Sequence, residues 1–273
     1  IDVSVGSTVG LSAIAVGVAL NNGYGLATAI AFAKDGCNVG INYHNNRAGA
    51  EETAAECRKY GVDAQIYCAD IGCREQAVGM MRDFIEHFGT VDVLINNAGG
   101  ALKMPKGEFC DMPLDYWDSQ IDLNLNAAAY CAQAAAKCMV EKGIHGAIIN
   151  ISSVHSQVTW VKRKALPYSA GKAGLNMLTK SIGVELIKYG INVNCIAPGL
   201  VYTKILSRYS DKDIEGFNRK IPAGRGGQPE EIVPMVLFFA DKSKSSFIVG
   251  QTIYIDGGQS IDGAIDNMLD EEF

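Results

Sequence analysis

The stretch AIAVGVALNNGYGLATAIAFAK, residues 13–34, decides the architecture. Its first six residues are apolar and partly β-branched, without polar alternation, the pattern of a strand covered on both faces. Asn21, Asn22, Gly23 and Gly25 then break the run, and an alanine-rich helical segment follows from residue 24. A strand that turns through glycines into a helix leaves free backbone N–H groups at the helix amino end, where a pyrophosphate can approach the chain. Taken alone, the glycine pair is also what a plain tight turn needs. An earlier pair, Gly6 and Gly10, lies too far upstream of the second strand to serve one turn and one helix.

The same alternation recurs along the rest of the chain. Residues 13–18, 37–43, 64–69, 91–95, 147–151, 191–196 and 252–255 read as strands, and 24–34, 48–60, 73–87, 114–141, 168–188 and 229–240 as helices. Strands alternating with helices in this way predict an α/β fold, a doubly wound, seven-stranded parallel sheet with helices on both faces. With no repeat, linker or shift in composition, residues 1–273 read as one domain with its core at 13–258. The polar segment 204–222 is expected to be a lid over the carboxyl ends of the strands, and 262–273 an acidic tail.

Composition narrows the function. Of 273 residues, 48% are hydrophobic and 20% charged, and the net charge is −6, which excludes a disordered or collagen-like chain and suits a globular enzyme. An acidic chain has no overall field for phosphate backbones or anionic lipid, so small molecules, rather than nucleic acid or membrane, are the expected partners. The 8 cysteines form no CxxC pair and no clustered Cys/His spacing. They read as reduced thiols of a cytoplasmic protein without a metal site. The apolar run 11–20 is too short to span a bilayer and has no basic flank, so it reads as part of a buried strand.

The residue types that carry chemistry fall at successive strand ends. Asp70, followed by Ile71, closes the third strand, where a carboxylate can accept a proton from an adenine amino group. Asn97, Ala98 and Gly99 close the fourth, where small residues let a nucleoside lie on the backbone. Each is also at home in a cap or turn, but open α/β sheets bind ligands at these ends. Ser153 ends the fifth strand. Tyr168 and Lys172, four residues apart at the start of the next helix, share one face. A phenol titrates near about 10, and a neighbouring ammonium favours the phenolate, so the expectation is a Tyr168 hydroxyl shifted downward. A serine hydroxyl opposite can bond a substrate oxygen and hold its carbon for hydride transfer.

These anchors together resemble the short-chain dehydrogenase/reductase family, compact enzymes with a Rossmann-like sheet. The resemblance runs from about residue 13 to 258 through Gly23-Tyr24-Gly25, Asp70, the Asn96-Asn97-Ala98-Gly99 run, Asn124, Ser153, Tyr168-Ser-Ala-Gly-Lys172, Pro198-Gly199 and Ile255-Asp-Gly-Gly258. It implies that Tyr168 exchanges a proton with the substrate oxygen and that Ser153 polarises that oxygen. It also implies that Lys172 grips the nicotinamide ribose and that Asn124 holds a relay water. Asn22, Gly23, Tyr24 and Gly25 would cradle the pyrophosphate, Asn97 and Gly99 would line the nucleoside, and Val201 and Thr203, after Pro198 and Gly199, would bond the carboxamide. The family opens its turn with Thr-Gly, and here Val18-Ala19 stands instead. That departure motivates an alternative, a nucleotide-binding regulatory or scaffold protein with weak or no turnover. An epimerase or dehydratase on the same fold would need a longer segment than 204–222.

The second strand ends at Tyr43, followed by His44, Asn45, Asn46 and Arg47. With no carboxylate to repel a 2′-phosphate and with His44 or Arg47 to meet one, the expectation leans to NADP over NAD, with dual use open. Ser152-Ser-Val-His155-Ser-Gln157, with Trp160, resembles the family's sugar and polyol dehydrogenases. His155 and Gln157 could bond hydroxyls and Trp160 could stack on a ring, or they are a packed loop histidine and an interface residue. The basic run Lys162, Arg163 and Lys164 reads as a solvated loop. Apolar excess on helices 114–141 and 168–188 and the family resemblance imply a homotetramer.

Overall fold

The computed structural model describes residues 13–16, 23–101, 108–159, 166–203, 206 and 209–261. The strands are β1 (Ala13–Val16), β2 (Asn38–Tyr43), β3 (Ala64–Cys68), β4 (Val93–Asn96), β5 (Ala147–Ile151), β6 (Asn192–Pro198) and β7 (Thr252–Ile255). All pairings are parallel, in the order β3-β2-β1-β4-β5-β6-β7. The order reverses between β1 and β4, and a sheet that winds both ways from such a point opens a crevice at the strands' carboxyl ends there. Every residue of β5 and β6 is buried, which is why those strands read as near-continuous apolar runs.

Helices α1 (Gly23–Lys34), α2 (Arg47–Arg58) and α8 (Val233–Ala240) cover one face around Phe32, Ile41, Ile149 and Phe239. Helices α3 (Arg74–Phe88), α5 (Ala127–Lys142) and α6 (Leu166–Leu186) cover the other around Met81, Phe84, Leu94, Met139 and Ile148. Alanine at 127, 128, 132, 135 and 136 lets α5 lie close to the sheet. Beneath α3, Gly40 brings β2 so near that a Cβ there would stand 2.4 Å from two ring carbons of Phe84. Phe84 is itself only 2% exposed and cannot swing away. Gly40→Ala is therefore expected to lower unfolding free energy by about 1–3 kcal/mol through overpacking, read from denaturant midpoints. An unchanged midpoint would mean that this face packs more loosely than described.

Two expected helices are divided. The predicted helix 114–141 consists of α4 (Leu114–Ile121), a π-helical turn Asp122–Asn126, and α5. The predicted helix 229–240 begins as a 3-10 turn, Pro229–Glu231, and Pro234 has no N–H to donate to the Glu230 carbonyl in an α-helical ladder. Inside the expected lid lies a short helix, α7 (Asp211–Asn218), started by a capping box in which Ser210 and Asp213 bond each other's backbone N–H. Residues 204, 205, 207 and 208, the Val18-Ala19 departure, Asn22, Trp160, the basic run 162–164 and the tail 262–273 lie outside the described residues.

Two asparagines on neighbouring strands are paired with each other. Asn96 Nδ2 donates to Asn150 Oδ1 at 2.8 Å, and Asn150 Nδ2 donates to Thr179 Oγ1 at 2.8 Å. This buried ladder ties β4 and β5 to α6, whose first turns carry Tyr168 and Lys172. An unpaired amide there would cost more than the bond returns, so the register across these elements is fixed.

Candidate active site

Ser153, at the end of β5, caps the 3-10 turn Val154–Ser156, its hydroxyl oxygen accepting from the His155 N–H at 3.2 Å. The same hydroxyl bonds that of Tyr168. One turn along α6, the Lys172 ammonium lies 5.9 Å from the centre of the Tyr168 ring and donates to the Ile151 carbonyl at 2.8 Å. Helical spacing from α6 and the end of β5 thus bring the three predicted side chains together.

The expected downward shift of Tyr168 is not what the site has. Burial pushes the Tyr168 hydroxyl above its ordinary 10, and the bond from Ser153 only partly offsets this. Lys172 is no source of depression because it lies across the ring and its own ammonium is desolvated. Only 4% exposed, it is pulled down to about 8 by burial, with Cys195 nearby opposing the shift. At neutral pH, Tyr168 is therefore a protonated phenol beside a mostly charged Lys172.

Asn124 is buried within the π-helical turn. Its amide donates to the carbonyls of Gln120 and Gly100, at 3.0 and 3.1 Å, and its oxygen accepts from the Gly100 N–H at 2.9 Å. A π turn inserts one residue into the ladder and re-aims its side chains, and such turns recur at functional sites. It docks Asn124 onto the loop after β4. A Cβ on Gly99 would stand 2.9 Å from Lys172 Nζ and 3.0 Å from Asn124 Oδ1, so glycine leaves a cradle directly over these two polar groups.

A dinucleotide, the cofactor implied by the resemblance, fits these residues. Asn97 is 3% exposed, yet neither atom of its amide has a partner. A buried, unpaired amide is costly unless something bonds it, and it stands at the strand end where a nucleoside is expected. Asp70 follows β3, and one of its carboxylate oxygens accepts from the Gly72 N–H at 3.0 Å, fixing its orientation at the same edge. Ile71 and Ala98 line a small cavity of about 30 Å³, together with Asn96 and Met80.

Other predicted residues take up less central places. Gly23, Tyr24 and Gly25 are the first residues of α1. Tyr43 is buried and its hydroxyl bonds Cys68. His44 is exposed, and Arg47, in the first turn of α2, pairs with Glu51 at 2.8 Å with both side chains largely in solvent. Pro198 ends β6 and Gly199 follows it, Val201 is buried and Thr203 half-buried. The His155 ring packs edge-on at 6.0 Å from that of Tyr168, so His155 belongs to the site, whereas Gln157 is exposed. Sequence reasoning missed the Ile151 carbonyl that anchors Lys172, because backbone acceptors leave no composition signal. It also missed the polar cluster of Ser156, Asn176 and Tyr254 behind Ser153.

The short-chain family model described as enoyl-(acyl carrier protein) reductase matches residues 17–260. The chain is 34% identical over 246 residues to glucose 1-dehydrogenase 2 of Bacillus subtilis, covering 88% of this chain and 92% of the relative. The structure of acetoin dehydrogenase YohF from Salmonella typhimurium superposes with a TM-score of 0.81 at 34% identity, covering 93% of this chain and 99% of that one. An actinorhodin polyketide ketoreductase structure with NADPH superposes with a TM-score of 0.81 at 28% identity, covering 92% and 98%. Matches of this extent and identity establish that the chain belongs to the short-chain dehydrogenase/reductase family and is an oxidoreductase.

Proposed function

We propose that this enzyme interconverts an alcohol and a carbonyl through Ser153, Tyr168 and Lys172, on a small hydroxylated substrate such as a sugar, polyol or hydroxyketone. The observation that carries the reading is the Tyr168 hydroxyl, kept protonated by burial, bonded to Ser153 and set beside a buried ammonium. A bound nicotinamide supplies or accepts the hydride. In the reducing direction Ser153 and Tyr168 both bond the carbonyl oxygen, and Tyr168 delivers its proton as charge develops there. Lys172, mostly charged at neutral pH, holds the ribose. Asn124, docked against the Gly100 backbone, anchors the path by which Tyr168 is reprotonated from solvent. Asn97, Gly99 and Asp70 bind the adenosine half.

A substrate with hydroxyl groups beside its carbonyl is supported by His155 at the Tyr168 ring and by the names of relatives that act on glucose and acetoin. The lean to NADP over NAD rests on Arg47 and on the absence of an acid at Tyr43, His44 and Asn45. A homotetramer is the expected assembly, supported by Met177 and Val184, 59% and 75% exposed on α6. The test follows absorbance at the nicotinamide band with NADPH and with NADH against aldoses, polyols and hydroxyketones. Turnover of hydroxylated substrates, faster with NADPH, is the expected result. Cofactor binding without turnover of any carbonyl would favour the regulatory alternative.

A further inference from the structure

The turn that carries Ser153 is tied down by side chains from two distant elements. At its far end, Ser156 Oγ donates to the Ser153 carbonyl at 2.7 Å. The same oxygen lies 2.9 Å from Asn176 Nδ2 and 3.1 Å from the Tyr254 hydroxyl, and Asn176 Nδ2 lies 3.3 Å from that hydroxyl. Asn176 is one helical turn beyond Lys172 on α6, and Tyr254 is on β7.

Counting protons fixes the directions. Ser156 has one, committed to the Ser153 carbonyl, so Tyr254 donates to Ser156. The Asn176 amide then donates to both oxygens. Its own oxygen is turned toward the Cys195 thiol at 3.6 Å, which burial raises to about 11 and so keeps a donor. The chain of donors from Cys195 and Tyr254 therefore converges on the peptide group of Ser153. Such serial bonds, here part-buried, reinforce one another.

We propose that Ser156, Asn176 and Tyr254 form a positioning bracket that locks the Ser153–His155 turn to α6 and β7, keeping the Ser153 hydroxyl in line with Tyr168 and the substrate oxygen. This rests on the Ser153–Tyr168–Lys172 assignment above. The bracket fixes the Ser153 carbonyl, and the Ser153 oxygen accepts from the His155 N–H. The turn therefore moves as one piece, carrying both the polarising hydroxyl and the His155 ring. Acid–base and hydride geometry tolerate little displacement, so a small drift of this piece slows turnover without removing any residue assigned to the cofactor.

The experiment measures kcat, carbonyl KM and nicotinamide binding by fluorescence for Ser156→Ala, Tyr254→Phe, their double variant and Ser156→Thr, with Tyr168→Phe in parallel. Each single change is expected to lower kcat about tenfold, the equivalent of one positioned hydrogen bond, while cofactor affinity holds. The double variant is expected to fall no further than the worse single, because the residues act as a unit. Ser156→Thr, which restores the hydroxyl, is expected to recover most of the turnover. Unchanged kcat in both singles would overturn the bracket, as would losses that multiply in the double, or cofactor binding lost in step with kcat. Full activity in Tyr168→Phe would instead remove the underlying assignment. An inactive Tyr168→Phe beside bracket variants that turn over normally removes the bracket alone.

Discussion

Tyr168→Phe is expected to lower kcat by about 10²–10⁴-fold, the range lost with a positioned acid–base group, while leaving cofactor affinity and thermal stability near their starting values. The phenylalanine keeps the ring beside His155 and under Lys172 and removes only the oxygen bonded to Ser153. Ser153 still accepts from the His155 N–H, so its hydroxyl keeps one partner in the variant. Without the phenol, a carbonyl whose carbon receives hydride has no proton within reach of its oxygen, which must develop charge against Ser153 alone. That corresponds to about 3–5 kcal/mol of barrier. Steady-state rates with NADPH and a hydroxyketone, together with a fluorescence titration of the cofactor, separate this outcome from a folding defect. A variant that retains wild-type kcat would exclude Tyr168 as the proton donor.

Lys172→Met is expected to cut kcat/KM by about 10²-fold or more and, unusually for a core substitution, to raise thermal stability. Burial pulls the Lys172 ammonium from 10.5 to about 8, so in the folded protein the charge is held at a cost. The sign of the linkage follows. Between about 8 and 10.5 the unfolded chain still holds the proton and the folded chain has shed it, so this group's contribution to stability rises with pH there and is least favourable below about 8. Methionine fills similar volume without charge, leaving only the Ile151 carbonyl without its donor. A higher midpoint with weaker turnover is the expected pair of results. A lower midpoint with unchanged turnover would mean that the ammonium serves packing rather than chemistry.

Much of the fold was legible because its signals are local and periodic. β5 and β6 read as apolar runs since both their faces are covered, and Gly89, Gly143 and Gly190 stop helices in left-handed caps. The partners of Tyr168 were legible from helical spacing and from their place at the end of β5. The π turn at Asp122–Asn126 was not, because an extra residue in a helical ladder leaves the apolar periodicity of 114–141 nearly intact. The direction of the Tyr168 shift was misread for a related reason. Spacing on a helix predicts that Lys172 is near, but not that both groups are desolvated, and burial sets the direction of both shifts. The Ser156–Asn176–Tyr254 cluster joins three elements up to 98 residues apart, a separation that no sequence window spans.

The pH dependence of kcat/KM for the cofactor in the reducing direction tests the central claim most directly, since it reports the free enzyme's groups. A level profile from about pH 6 to 7, falling as pH rises through about 8 where Lys172 loses its charge, and absent in Lys172→Met, is the predicted result. A wild-type profile that rises through that range, or one that Lys172→Met leaves unchanged, would contradict a mechanism built on a protonated phenol and a charged lysine.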